Sequence, residues 1–130
     1  MDKEELIQYW VETSAHDHPT MLHLYESGDY AWCLFVGHLV IEKLLKACYV
    51  KRHGVQAPKI HSLPRLAELA ELQVDANTKA TLVRLTQFNM RGRYPDTRRE
   101  FYKRSTKEFT TSQLMAIEEI RKWLLTIVSE

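Results

Sequence analysis

Only two cysteines, four glycines and four prolines occur in 130 residues, and no span approaches twenty consecutive uncharged apolar residues. Each shortage removes a class of protein. Without a long apolar span there is no expected membrane-crossing helix, and no basic start followed by an apolar run marks a secretory leader, so a cytoplasmic protein without membrane contact is expected. Cys33 and Cys48 lie fifteen residues apart in one apolar stretch. That is roughly 22 Å along a helix axis, too far for a mutual bond, so they read as buried thiols of a reducing compartment. There is no glycine-rich phosphate loop, no nucleophile elbow and no cysteine pair at metal-ligand spacing. Neither covalent catalysis nor a metal or organic cofactor is expected. Alternating apolar and polar residues of the kind a strand needs are absent as well, which leaves an all-α chain of one domain, residues 1–130.

What is present centres on Asp29 to His53, a proline-free run of about seven helical turns with Gly54 at its end. Trp32, Leu34, Phe35, Val36, Leu39, Val40, Ile41, Leu44, Leu45 and Cys48 cover nearly its whole circumference, the mark of a central helix that other helices or a partner subunit must cover. His38, Glu42, Lys43 and Lys46 leave one narrow polar stripe, with Glu42 one turn before Lys46 in the favourable order for a helical ion pair. Two readings stand for His38, Glu42 and Lys46: satisfied or solvated side chains, or residues facing a ligand or a dimer partner. The need for cover makes a homodimer that uses part of residues 32–48 the expectation.

The other elements follow from caps and breakers. Residues 3–27 read as an amphipathic helix kinked or broken at His16-Asp17-His18-Pro19 and closed by Gly28, with Asp29 capping the second helix, so that the first two pack as an antiparallel hairpin. Ser62 or His61 starts a third helix through residue 73, and Asp75 a fourth that runs to about Met90, where Gly92 caps it and Pro95 stops it. Residues 97–109 are expected as loop or short irregular helix. A last helix begins at Thr111 or Ser112 with Leu114, Ile117, Ile120, Leu124 and Ile127 on its buried stripe. The sum is an up-and-down bundle of about five helices with a long central second helix.

Charge is unevenly distributed although the net is +1. Residues 1–30 carry seven acids (Asp2, Glu4, Glu5, Glu12, Asp17, Glu26, Asp29) against Lys3, and residues 84–107 carry eight bases (Arg84, Arg91, Arg93, Arg98, Arg99, Lys103, Arg104, Lys107) against Asp96 and Glu100. Within the basic segment Arg91, Arg93, Arg98, Arg99, Lys103 and Arg104 alternate with Tyr94, Phe101 and Tyr102, which suits phosphate held by guanidinium forks and a base stacked on a ring. The same composition suits a loop docking on the acidic first helix of a neighbouring copy. Glu12, His16 and His23 would align on an unbroken helix, but their spacing fits no defensible metal motif. His61, just before the third helix, is either a cap or an acid-base group.

Four stretches taken together resemble the HEPN domain (higher eukaryotes and prokaryotes nucleotide-binding domain): Gly28-Asp29-Tyr30-Ala31-Trp32, Glu42-Lys43-Leu44-Leu45-Lys46-Ala47, His61-Ser62-Leu63-Pro64-Arg65-Leu66 following Pro58-Lys59, and Arg93-Tyr94-Pro95-Asp96. Their order and spacing span nearly the whole chain. The resemblance implies a helical homodimer, nucleotide or RNA binding, and pairing with a separate minimal nucleotidyltransferase in a two-component module of toxin-antitoxin type. Many members are metal-independent ribonucleases that use an Arg followed, after four to six residues, by a His. Here no histidine follows His61, so that motif is absent. The expectation is a partner subunit that binds nucleotide or RNA through Arg91, Arg93, Tyr94, Arg98, Arg99, Lys103 and Arg104 and is not itself an enzyme. The alternatives are a divergent ribonuclease using Arg91 or Arg93 with Tyr94 or His61, and a purely structural dimerisation or interaction protein.

Overall fold

The computed structural model describes residues 1–130 and contains six α-helices and no strand: α1 (Lys3–Glu26), α2 (Tyr30–His53), α3 (Leu63–Leu69), α4 (Ala76–Thr86), α5 (Pro95–Arg104) and α6 (Lys107–Val128). α1 and α2 form the expected antiparallel hairpin. Gly28, at φ 82°, makes the turn, with the Gly28 amide donating to Tyr25 O and the Asp29 amide to Leu24 O. α6 packs on another side of α2, and α3 and α4 close over it. The cover that the apolar α2 requires thus comes largely from its own chain: fourteen of its residues are buried. The main core joins Met21 of α1, Leu34, Ile41, Leu44 and Leu45 of α2, Leu63, Leu66, Leu82, Leu85, Phe88 and Met90, and Ile117 of α6. Each such side chain contributes about 1.5–3 kcal/mol by leaving water.

Several boundaries differ from those read in the sequence, each for a local reason. α1 runs through Pro19 without a break. A proline inside a helix costs about 3 kcal/mol. Here the turns around it are tied down from outside, by the Asp17–Lys43 pair (2.5 Å) to α2, by His18 on Glu118 (2.6 Å) of α6, and by the fully buried Met21. Asp29 sits at the N-cap of α2 but makes no side-chain cap bond; its carboxylate accepts instead from Ser27 Oγ at 2.8 Å. Ser62 and Asp75 cap α3 and α4 as expected, and Gly54 ends α2 in the left-handed conformation.

α3 stops at Leu69, well short of residue 73. Glu71 takes the left-handed conformation (φ 57°) usually reserved for glycine, with the Leu72 amide on Ala67 O, and its carboxylate meets Arg52 at 2.7 Å. α4 stops at Thr86 rather than Met90, and its cap is Gln87, not Gly92. Phe88 and Met90 turn into the core, and the Arg93 guanidinium donates to Gln87 O and Asn89 O just beyond the helix. Pro95 is a beginning and not a stop. It occupies the first turn of α5, where a missing N–H costs nothing, so residues 95–104 form a sixth, regular helix where a loop or short irregular helix is expected over 97–109. α6 accordingly starts earlier, with Thr106 as its cap (Phe109 N to Thr106 Oγ1, 3.2 Å) in place of Thr111 or Ser112.

Candidate functional site

The polar stripe of α2 is inside the protein. His38, Glu42 and Lys46 are 0%, 4% and 6% exposed, one turn apart, and the Lys46 ammonium donates to Glu42 Oε2 at 3.2 Å while lying 5.2 Å over the Trp10 ring of α1. A buried carboxylate needs more than one partner. Glu42 obtains them from two loops: His61, ahead of α3, donates through Nδ1 to Oε1 at 3.2 Å, and Arg91, ahead of α5, donates through Nη2 to the same oxygen at 2.8 Å. Burial raises the carboxyl's proton affinity, but Lys46, His38, Arg91 and His61 together hold it below its ordinary value. With neutral imidazoles, the group carries one net positive charge, from Lys46 and Arg91 against Glu42.

The site opens outward at two side chains. His61 is 45% exposed and Arg91 39%, against 5% for the Glu42 they share. The Glu42 bond holds the His61 ring through Nδ1 and leaves Nε2 without a protein partner. Arg91 is further pinned by Nε on Asn89 Oδ1 (3.0 Å), keeps Nη1 free of protein partners, and lies 6.0 Å over the Phe35 ring. The geometry makes a small cationic mouth above an anionic anchor, able to hold an anion or move a proton at His61 Nε2.

His38 is the closed end of the group. Its Nε2 donates to His61 O at 3.2 Å, its Nδ1 has no partner, and burial drives its pKa down from 6.5 to about 4 against the pull of Glu42. A lowered folded-state value means stability that is complete above pH 6.5 and lost as pH falls toward 4, about 3 kcal/mol in all. Glu42, also lowered, adds a loss below its ordinary 4.5. The urea midpoint is therefore expected to drop between pH 7.5 and pH 5, and His38→Gln to flatten that drop. Parallel pH profiles for the two proteins would show that His38 is not its source.

The basic segment does not form one patch. Arg91 belongs to the Glu42 group, Arg93 is spent on the carbonyls after α4, and Arg98 donates to Met90 O at 3.1 Å with its Nε unpartnered. Arg99, Lys103 and Arg104 remain exposed on α5, Arg104 over the Phe109 ring at 5.3 Å, and Tyr94 is the most exposed aromatic at 78%. Arg93, Lys103 and Arg104 line an open cleft of about 610 Å³ together with Gln87, Thr97, Glu100 and Phe101. Glu12, His16 and His23 are exposed on α1. Burial pushes the Cys33 and Cys48 thiols up to about 11 and about 12, so neither supplies a thiolate near neutral pH. The union of Arg91 with Glu42, 49 residues apart, is not readable from spacing; the only signal is an acid on an apolar helix with too few local partners.

No helix is long and apolar enough to cross a membrane. No curated protein matches the chain. Among solved structures, the crystal structure of TT1696 from Thermus thermophilus is similar in fold, with a TM-score of 0.76 and 22% identity over 93% of this chain and 97% of that one. Residues 7–127 match the family model of the HEPN domain, and the chain, with the all-helical bundle and the four sequence stretches that resemble it, belongs to the HEPN domain family.

Proposed function

We propose that this HEPN protein is a binding subunit whose ligand is the phosphate of a nucleotide or RNA, held at the Arg91–His61 mouth. One observation carries this: two half-exposed donors converge on a single oxygen of a buried carboxylate, so both are oriented before any ligand arrives. A preorganised guanidinium with a free Nη1 suits a phosphate oxygen better than a lone lysine does. Arg99, Lys103, Arg104 and Tyr94 on and beside α5 form a separate exposed basic surface for the rest of a longer polyanion. In this reading the chain works as a homodimer and beside a separate minimal nucleotidyltransferase in a toxin-antitoxin-like pair. Family membership is the support for both partners.

A second reading, a divergent ribonuclease, is favoured by one detail: the carboxylate-oriented His61 with Nε2 outward beside the Arg91 cation. It stands second because cleavage through a 2′-hydroxyl needs both a base and an acid, and the group exposes one imidazole while keeping His38 buried and neutral. Titration of the purified protein with ATP and with a short single-stranded RNA, followed by a cleavage gel on the same samples, separates the two. Binding without cleavage, weakened about tenfold or more by Arg91→Ala, is the expected result. Cleavage abolished by His61→Ala would put the enzyme first, and no binding to either probe would end the phosphate reading. Arg93 and Arg98 are unsuitable for charge reversal, since both donate to backbone carbonyls and their replacement would disturb the loop as well as the charge.

A further inference from the structure

We propose that Trp32 and Phe35 form a base-stacking shelf beside the Arg91–His61 mouth, so that the ligand is a single-stranded oligonucleotide and not a bare phosphate; this rests on the phosphate reading of that mouth. Trp32 is 42% exposed, the one exposed large apolar residue on α2, most of whose side chains are buried. Its ring meets Phe35 at 5.9 Å and 69°, and Phe35 in turn lies under the Arg91 guanidinium at 6.0 Å. The path from indole to cation is therefore continuous: Trp32, Phe35, Arg91, then the Glu42 oxygen shared with His61.

Helical spacing explains the alignment. Residues 32, 35, 39, 42 and 46 fall at intervals of three and four, so the shelf and the polar anchor lie on one face of α2, with about 15 Å of axis between Trp32 and Glu42. An isolated exposed apolar residue needs no explanation. An indole in line with a fixed guanidinium and an oriented imidazole is the arrangement that bases and phosphates of one strand can occupy together, each base finding a ring and the backbone a cation. Charge argues against an apolar occupant, because the far end of the strip is cationic and polar.

The test compares hexauridylate with an abasic phosphodiester hexamer by fluorescence anisotropy, on wild type, Trp32→Leu and Trp32→Phe whose circular dichroism melts match. Trp32→Leu should weaken hexauridylate about tenfold, as expected for one stacked base, and leave the abasic hexamer unchanged, while Trp32→Phe should stay within about threefold of wild type. Unchanged hexauridylate affinity in Trp32→Leu, or equal losses on both probes, would overturn the shelf while leaving the phosphate mouth standing. A dimer in sedimentation that Trp32→Leu dissociates without altering affinity would give the ring to a second copy and likewise overturn it. If wild type binds neither hexamer, the shelf fails, and ATP titrated in the same assay then decides the phosphate reading separately: ATP bound keeps the mouth, ATP unbound removes it as well.

Discussion

Gly37→Leu is expected to leave little folded protein under conditions in which the wild type is native. Gly37 is buried in the middle of α2, where a β-carbon would stand 2.6 Å from Ile117 Cδ1 and 3.2 Å from Met21 Sδ, both of them fully buried. Contacts as short as the first do not occur between real side chains, so the Ile117 side chain would have to turn away, or α6 shift, in a core that is already filled. Glycine in a helix interior costs about 1 kcal/mol relative to alanine, and overpacking a dense core costs about 1–3 kcal/mol. For Gly37→Ala the two nearly offset, and a net loss of about 1 kcal/mol is expected. Leucine adds three more carbons with no space for them, a penalty on the scale of a small domain's whole stability. The cause can be isolated, because Ile117→Val removes the offending methyl. Gly37→Ala should cost less in the Ile117→Val background than alone, read from urea midpoints by circular dichroism. A Gly37→Leu protein that unfolds at the wild-type midpoint would mean that the helices do not approach so closely.

The elements legible in the sequence are those whose signals are local and unambiguous. α2 is marked by a proline-free apolar run with Gly54 at its end, and the hairpin with α1 by the short Gly28-Asp29 connection. The polar stripe at 38, 42 and 46 follows from spacing alone, though not its burial, which depends on packing by α1 and the two loops. Signals with two meanings mislead. Pro95 is compatible with a stop as well as with a first helical residue, and Tyr94 offers no capping oxygen to decide, so the sequence leaves α5 open between loop and short helix and sets the start of α6 several residues late. Glu71 hides the end of α3 because nothing in a glutamate predicts a left-handed turn, which is closed by the Leu72 amide on Ala67 O while the carboxylate meets Arg52 from 19 residues away. Gly37 gives no sign of its importance, since the demand for a missing side chain comes from α6. The candidate site shows the same division. Composition marks Arg91, Arg93 and Arg98 as one cationic group, whereas hydrogen bonding sends one to Glu42 and two to backbone carbonyls, a partition only tertiary structure makes.

Glu42→Ala should cost about 3–5 kcal/mol, the penalty for removing one partner of a buried ion pair. Most of it would come from Lys46, 6% exposed and lodged between Glu42 and the Trp10 ring, because Arg91 can turn toward water while Lys46 cannot reach it without leaving α1. Glu42→Gln keeps the volume and an acceptor and should lose less. The informative variant is Glu42→Leu/Lys46→Met, which removes both buried charges at similar volume and should recover most of the stability, since a packed apolar pair often matches a buried ion pair. Stability alone, then, gives no reason for a charge at this position. Its distinct consequence is that one carboxylate oxygen holds Arg91 and His61 in register from two separate loops. The double variant should therefore melt near the wild type yet bind oligonucleotide at least tenfold more weakly, because both donors must be ordered at the moment of binding. Calorimetric melting and anisotropy on the same preparation measure the two effects together. A stable double variant with wild-type affinity would confine Glu42 to folding and move the ligand to the exposed cations of α5.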